Sequence, residues 1–140
     1  MAKNPLILDC PNGWQYFGGT HSCYKVMESV QSWNNAKRSC QDHNADLASI
    51  TDEATNIFVT SLTKKTSWIG GYLDSDKKWK WTDGSRWGYT NWYPGEPNNA
   101  GGKQDKLIIN HWRGGVGKWD DNEEKNKRSF ICQKKLKQGD

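Results

Sequence analysis

The sequence predicts a single α+β domain in which two helices precede a small antiparallel sheet, with disulfides bracing the whole. Apolar residues recur at helical spacing between residues 32 and 62. Beyond residue 65, short apolar runs alternate with turns rich in Gly, Asp and Asn, which is typical of strands. Four cysteines are spread over a chain of 140 residues, a length that fits one domain.

The first helix is predicted from a cap and an inward face. Ser32 is a residue type that caps helices, because its hydroxyl accepts a hydrogen bond from the first turn. Trp33, Ala36 and Cys40 follow at helical spacing, so they should share the face that points to the core. Asn44 is expected to end this element.

A second helix is predicted to begin near Thr51, where Asp52 and Glu53 would interact favourably with the positive end of the helix dipole. Its apolar stripe follows an i, i+3, i+4, i+7, i+8 series. The members of the stripe are Ala54, Ile57, Phe58, Ser61 and Leu62. We expect these side chains to face the core.

Strands are predicted at five short apolar runs after the helices, and a turn with a short strand is predicted within residues 10–19. The runs cover residues 67–69, 78–81, 107–110, 118–120 and 129–133. Residues 84–102 form a long irregular stretch, and long ordered loops in compact domains are usually functional. The chain has nine Trp and only three Phe, so most Trp side chains are expected in the core and some at a binding surface.

The four cysteines are Cys10, Cys23, Cys40 and Cys132, and the absence of a CxxC pair argues against a zinc ribbon or a redox motif. Four cysteines allow three pairings. One natural scheme joins Cys10 to Cys23 and Cys40 to Cys132. Disulfides imply an oxidising compartment, so we expect a secreted, extracellular protein. Residues 1–9 contain no apolar stretch long enough for a signal peptide, which would make the sequence a mature domain.

The formal net charge is +4, and much of the excess lies after residue 124. A solvated face with a basic tail is the simplest interpretation; weak attraction to anionic glycans or membranes is the alternative. No basic stripe is interleaved with aromatics, so a nucleic acid partner is not expected. No run approaches the ~18 apolar residues of a membrane span. The predicted organisation is an extension at 1–9, a domain at 10–134 and a basic tail at 135–140.

Side chains that offer oxygen are concentrated in the long loop and in two segments beyond it. They belong to Glu96-Pro97-Asn98-Asn99, Gln104-Asp105 and Trp119-Asp120-Asp121. Calcium takes six to eight oxygen ligands and prefers carboxylates and carbonyls. These segments can form a calcium site if the fold brings them together. Spacing alone equally allows a polar surface loop.

Several segments resemble motifs of the C-type lectin-like family, and the resemblance extends from Cys10 to Cys132. The motifs are Trp68-Ile69-Gly70-Gly71, Asn91-Trp92, Glu96-Pro97-Asn98, Trp119-Asp120-Asp121 and Phe130-Ile131-Cys132. Trp14 and Tyr16, between Cys10 and Cys23, are similar to the family's long form, which has an additional N-terminal disulfide. The resemblance implies a C-type lectin-like fold with two helices, small antiparallel sheets and a long loop that binds calcium and sugar.

The resemblance also implies a site. In the family, the matching side chains hold one calcium ion and hydrogen-bond two neighbouring sugar hydroxyls that also coordinate the ion. The implied calcium ligands are Glu96, Asn98, Gln104, Asp120 and Asp121, and the first four of these are the implied carbohydrate-binding residues. The Glu-Pro-Asn triplet implies mannose-type glycans with vicinal equatorial hydroxyls, such as mannose, fucose or N-acetylglucosamine. The Glu96–Pro97 peptide is expected to be cis.

Two of these positions depart from the family pattern. Gln104 stands where the family usually has Glu, and Asp120 stands where it usually has Asn. The number of carboxylates is preserved, because Asp120 joins Glu96 and Asp121. The hydrogen-bond roles also exchange, since a sugar hydroxyl can donate to Asp120 and accept from the amide of Gln104. We therefore expect calcium binding to be retained.

Two further expectations concern the surroundings of this site. The positions of a disulfide that the family usually has are occupied by Lys106 and Glu124, which could form an ion pair instead. A second calcium site is common in the family. Its candidate ligands here are Asp74 or Asp76, Asn99 and Asp105. The sequence leaves this second site open.

Two other classes of function are a family member that binds no sugar and an enzyme. A family member that binds no sugar and contacts a protein, ice or mineral surface is the alternative, because of the changes at Gln104 and Asp120. An enzyme is not expected, since His21, His43 and His111 are dispersed and no Ser or Cys nucleophile stands beside a base.

Four aromatic or basic residues lie near the loop in the sequence. His111 is interpreted as a surface residue at a strand end, with contact to the ligand as the alternative. Trp112, Tyr93 and Lys103 flank the loop and could shape sugar preference, although Trp112 and Tyr93 could equally pack the loop. No coiled-coil pattern or spare cysteine predicts an oligomer.

Overall fold

The computed structural model describes residues 9–137, and it contains two α-helices and eight β-strands within that range. The helices are α1 (Trp33–Asp42) and α2 (Glu53–Leu62). The strands are β1 (Gln15–Phe17), β2 (Ser22–Gln31), β3 (Asp46–Leu47), β4 (Ser67–Leu73), β5 (Trp79–Trp81), β6 (Gln104–His111), β7 (Gly115–Glu123) and β8 (Arg128–Lys135). The predicted extension at 1–9 and tail at 135–140 lie mostly outside the described residues.

The strands form one sheet in the order β1-β2-β8-β4-β6-β7, with β3 added to β8 and β5 added to β4. Pairing is antiparallel except between β4 and β8, which run parallel. The predicted α+β class is confirmed, but the predicted order of elements is incomplete because the hairpin β1–β2 precedes α1. Strand β2 escaped prediction because its outer half, from Glu28, is exposed and lacks an apolar alternation. In residues 9–137 no helix combines the length and the apolar character needed to cross a membrane.

Both disulfides of the favoured scheme are present. Cys10 is bonded to Cys23, and Cys40 in α1 is bonded to Cys132 in β8. The second bond ties the first helix to the central strand of the sheet across 92 residues of chain. The predicted cap of α1 is seen, since Ser32 accepts from the backbone N–H of Asn35. Helix α2 begins at Glu53, two residues after the predicted start, and Asp52 caps it by accepting from the backbone N–H of Thr55.

Tryptophans occupy the core, as expected from the composition. Trp33, Trp68, Trp81 and Trp119 are almost completely buried. Trp81 and Trp119 pack with Trp79, Trp87, Trp92 and Tyr89 in a single aromatic cluster beneath the long loop. Trp87, Tyr89 and Trp92 belong to the long loop itself, so their packing in this cluster anchors the loop on the core. Trp112 is the exception, with 52% of its surface exposed.

The inward face of α2 differs from the predicted stripe. Ile57 is 60% exposed, and the buried positions are Thr55, Asn56, Val59 and Thr60. The reason is a polar contact. The Asn56 side chain donates to the carbonyl of Gly117 at 3.0 Å and accepts from the Trp119 indole N–H at 2.9 Å. The Asn56 amide satisfies the buried indole and docks the helix on β7. The apolar pattern therefore predicts only part of the inward face, because Phe58 and Leu62 of the stripe do pack against the core.

We expect Asn56→Leu to lower the free energy of unfolding by about 1–3 kcal/mol, because the buried Trp119 N–H loses its acceptor. Urea denaturation measures the change. The matched control is Ile57→Ala at the neighbouring exposed position, which should stay within about 0.5 kcal/mol of the parent. Equal stability of Asn56→Leu and the parent would contradict this account of helix docking.

Candidate functional site

The long loop is positioned over β7 by its backbone. Trp92 bridges to Trp119, the Tyr93 N–H donates to the Trp119 carbonyl at 2.9 Å, and the Trp119 N–H donates to the carbonyl of Asn91 at 2.9 Å. The loop therefore runs beside the strand segment that carries Asp120 and Asp121. The Glu96–Pro97 peptide in this loop is cis, as the resemblance implies.

Four of the five side chains that the resemblance singles out converge. Glu96, Asn98, Gln104 and Asp120 line one cavity of about 260 Å³, together with Ala100, His111, Trp112 and Arg113. Residues from the loop, from β6 and from β7 thus meet at one place. The fold itself therefore brings these four predicted side chains together.

Asp121 lies beside this cavity, and its carboxylate is used by the loop. Its two oxygens accept from the backbone N–H groups of Asn98 at 3.3 Å and Asn99 at 2.6 Å. Gln104 has a similar organising role, because its side-chain oxygen accepts from the N–H of Ala100 at 3.1 Å. The side-chain oxygen of Asn98 accepts from the same N–H at 3.1 Å. Side chains from β6 and β7 therefore hold the loop backbone in place.

Two carboxylate oxygens in the cavity are buried and have no hydrogen-bond partner among the described residues. They are Oε1 of Glu96 and Oδ1 of Asp120. Burial, together with the neighbouring carboxylates of Glu96 and Asp121, raises the pKa of Asp120 to about 8. An unpaired buried carboxylate is costly unless a cation or a proton neutralises it. The donor set is rich in oxygen, which suits a hard cation such as calcium.

His111 lines the same cavity, and its burial was not predicted from the sequence. Its side chain is 2% exposed, so the interpretation as a surface residue is wrong. Nε2 lies 3.6 Å from Asp120 Oδ2 and 4.0 Å from Glu96 Oε2. The register of β6 against β7 shifts between Ile109 and His111, and Asn110 has a φ of 67°. An alternating apolar pattern cannot predict such a register shift. The one signal in the sequence was Asn110, because Asn tolerates a positive φ.

The hydrogen bond made by His111 determines which of its ring nitrogens carries the proton. The backbone N–H of Arg113 donates to Nδ1 at 3.1 Å, which leaves the ring proton on Nε2 in the neutral imidazole. Burial lowers the pKa of His111 and so favours this neutral form. The Nε2–H then points towards Asp120 and Glu96. At 3.6 and 4.0 Å both contacts are longer than hydrogen bonds, and in this tautomer the Nε2 lone pair of His111 is not available to a metal.

The candidates for a second calcium site are tied to lysines. Asp74, Asn99 and Asp105 line a separate cavity of about 280 Å³, but Lys77 and Lys103 line it as well. The Asp74 carboxylate pairs with Lys80 at 2.8 Å, and the hydrogen bond from Lys80 lowers the pKa of Asp74.

Asp105, the other carboxylate of that set, pairs with Lys106 at 3.1 Å. Glu124 instead accepts from the backbone N–H of Asn34 at 3.2 Å. The anticipated pair between Lys106 and Glu124 is therefore wrong, because each side chain has a nearer partner.

The domain thus combines two disulfides, an irregular loop packed on an aromatic cluster and a cavity lined by carboxylates. Comparison with known families identifies the class. The model of the C-type lectin domain matches residues 29–134. The chain belongs to the C-type lectin domain family, and this membership supports a lectin-like carbohydrate-binding role without catalysis.

Individual relatives agree with this assignment. The chain is 40% identical to ladderlectin of Oncorhynchus mykiss over 111 residues, which cover 74% of this chain and 57% of ladderlectin. The C-type lectin CEL-I of Cucumaria echinata superposes with a TM-score of 0.82 at 27% identity, covering 92% of this chain and 99% of CEL-I. The herring type II antifreeze protein superposes with a TM-score of 0.82 at 30% identity, covering 91% of this chain and all of that structure (100%). The fold is thus shared by sugar-binding and ice-related proteins.

Without calcium, we expect stability to fall as the pH rises from about 4 to about 8. The pKa of Asp120 is raised in the folded state to about 8, so the unfolded state loses its proton first and gains relative stability through this window. The loss should be on the order of a few kcal/mol. Urea denaturation in EDTA at several pH values measures it.

Asp120→Asn should flatten this pH dependence, since the amide does not titrate. Asp42→Asn, an equal change of charge at the exposed end of α1, should keep the parent's slope. A full slope in Asp120→Asn would show that another group is responsible.

Proposed function

We propose that this chain is a calcium-dependent lectin that binds mannose-type glycans with vicinal equatorial hydroxyls. The observation that carries the proposal is the pair of buried, unpartnered carboxylate oxygens of Glu96 and Asp120 inside one cavity. A cavity that gathers negative charge and leaves it unpaired is suited to a cation. Family membership supports sugar as the ligand of that cation.

The proposed calcium ligands are Glu96, Asn98, Gln104, Asp120 and Asp121. When bound, calcium would supply coordination positions for two adjacent sugar hydroxyls. Glu96 and Asp120 would accept hydrogen bonds from those hydroxyls, while Asn98 and Gln104 would donate their amide hydrogens. Asp121 would act partly through the loop, because its carboxylate already holds the backbone of Asn98 and Asn99.

His111 would border the calcium ligands without ligating the ion. Its Nε2 lies 3.6 Å from Asp120 Oδ2, and a neutral imidazole there leaves the charge of that carboxylate available to a cation. One calcium ion per chain is proposed, because lysines pair with two of the acidic residues that a second ion would need.

The remaining proposals follow from the same function. The binding domain would span residues 10–134 of an extracellular protein, in keeping with two disulfides. The chain spans little more than half of ladderlectin, so the activity and partners of any longer protein are part of this proposal.

Contact with an ice, mineral or protein surface without sugar is the second candidate. It is favoured by the similarity to the herring type II antifreeze protein, at 30% identity over 91% of this chain. Free sugar should compete with ligand binding if the chain is a lectin, and it should have no effect if the chain binds an ice, mineral or protein surface.

The test of the proposed function is retention on immobilised mannose in calcium, followed by elution with EDTA. Retention and release are expected, and free fucose or N-acetylglucosamine should also elute the protein. Galactose at the same concentration is the matched competitor and should elute it poorly. Flow-through of folded protein in calcium, on columns of each of these sugars, would favour the surface-binding candidate.

We expect Asp120→Asn to weaken calcium binding by about ten-fold or more, because the cavity loses one of three carboxylates. Isothermal titration with calcium measures the affinity. The double variant Gln104→Glu with Asp120→Asn restores the carboxylate count and should recover most of the affinity, while Asp42→Asn should leave it unchanged. Unchanged or improved affinity in Asp120→Asn alone would contradict the idea that the two departures compensate.

A further inference from the structure

A cavity between helix α1 and strands β4 and β6 has a basic and aromatic lining. Its volume is about 270 Å³, close to the roughly 260 Å³ of the cavity of Glu96 and Asp120. Among the described residues its wall contains two lysines and no carboxylate. Concave sites with a few convergent polar groups are typical of ligand binding, and we call this one the basic cavity. Its lining residues are Trp33, Asn34 and Lys37 of α1, Tyr72 of β4, Thr82 after β5 and Lys106 of β6.

The indole of Trp33 gathers the two lysine side chains of the basic cavity. Nζ of Lys106 lies 5.0 Å and Nζ of Lys37 lies 5.9 Å from the centre of its ring. Cations within about 6 Å of an indole are attracted by the negative charge of its face. The indole is itself fixed, because Trp33 is buried and its N–H donates to the carbonyl of Ile69 at 2.9 Å. Two positive charges gathered at one ring repel each other, so an anion that contacts both is favourable.

Lys106 stands at a position where the family usually has a cysteine, so its ammonium group distinguishes this chain. Lys106 in β6 is the register partner of Tyr72 in β4, and directly opposite residues share one face of a sheet. The Lys106 side chain is only 15% exposed. One of its three ammonium hydrogens is donated to Asp105 at 3.1 Å, which leaves two for a ligand.

Lys37 has no carboxylate partner, because it forms no ion pair within residues 9–137. Asp46 is close enough to sense its charge, since burial raises the pKa of Asp46 and Lys37 opposes this rise. Glu124 is engaged elsewhere, because its carboxylate accepts from the backbone N–H of Asn34 at 3.2 Å. The positive charge of Lys37 is therefore available to an anion from solution.

Neutral polar groups complete the lining of the basic cavity. Oγ1 of Thr82 is buried and has no hydrogen-bond partner among the described residues. Asn34 adds a side-chain amide, and Tyr72 adds a phenol hydroxyl. Amides and hydroxyls both donate and accept hydrogen bonds, as the hydroxyls of a sugar do. A buried hydroxyl without a partner at a cavity wall indicates that a molecule from solution completes the site.

We propose that the basic cavity is a second glycan-binding site, in which Lys37 and Lys106 hold a sulfate group of an acidic sugar without calcium. A sulfate ester has three free oxygens, so one group can accept from two separate ammonium groups. The net charge of +4 attracts polyanionic glycans over a longer range. This second site goes beyond the proposed function, because no residue of the cavity of Glu96 and Asp120 takes part in it.

The experiment is a titration of the intact chain in EDTA, so that calcium is withheld from the cavity of Glu96 and Asp120. The probe is a sulfated heparin disaccharide, and the same disaccharide without sulfate is its matched control. We expect the sulfated form to bind at least about ten-fold more tightly, with an affinity that falls as salt is added. In nuclear magnetic resonance spectra the backbone amide signals of Asn34, Lys37 and Lys106 should shift, while that of Asp120 should not.

Lys37→Gln should weaken binding of the sulfated disaccharide about three- to ten-fold, because one charged contact is lost at a partly exposed position. Lys106→Gln should do the same, whereas Lys106→Arg, which keeps the charge, should retain most of the affinity. Lys127→Gln is the control, since it removes an equal charge from an exposed lysine outside the cavity. Its affinity should stay within about two-fold of the parent's, and retention on mannose in calcium should be the same in all four variants.

Contrary results would overturn the second site at different points. Unshifted amides at Asn34, Lys37 and Lys106 would place the ligand elsewhere, and binding that needs calcium would assign it to the cavity of Glu96. Equal binding of the two disaccharides would remove the role of sulfate, and equally tight binding of inorganic sulfate would remove that of the sugar. Equal weakening by Lys37→Gln and Lys127→Gln would show diffuse attraction to a charged surface. Because calcium is absent, a chain that fails to bind mannose can still pass this test, so the two functions fail separately.

Discussion

The anchoring of Trp119 is the interaction on which the rest of the molecule depends. Its indole N–H is satisfied by Asn56 of α2, and its ring packs against Trp81, Trp87 and Trp92. Its backbone pairs with both Asn91 and Tyr93 of the loop. One side chain thereby connects the second helix, the sheet and the irregular loop. The carboxylates that follow it in β7 are positioned because Trp119 cannot move.

The cavity illustrates how a fold can hold charge that it does not neutralise itself. Acidic residues 120 and 121 are both about 1% exposed, yet only one of them has its oxygens fully used by loop backbone. Stable burial of the other requires a proton or a cation, because desolvation favours its neutral form. The site therefore depends on a proton or a cation from solution to neutralise Asp120, and the neutral imidazole of His111 lies beside that carboxylate.

Much of this could be predicted from the sequence, where motif residues have fixed neighbours. Glu96, Asn98, Gln104 and Asp120 were found because the chain around them matches a pattern, and they do meet in one cavity. The inward face of α2 was only partly predicted, because a buried Asn docks that helix and a polarity pattern assigns an Asn to solvent. The burial of His111 was not predicted, because a shift in strand register turns its side chain inward and such a shift cannot be read from an alternating pattern.

The lysines beside the smaller acidic cluster have a consequence for how the protein responds to chelators. Lys80 and Lys106 are covalently attached counter-ions for Asp74 and Asp105, present at all calcium concentrations. That region therefore keeps its charge balance when divalent ions are withdrawn. Under the proposed function, withdrawal of calcium would therefore change the charge balance at the cavity of Glu96 and Asp120 and leave that of the smaller cluster unchanged.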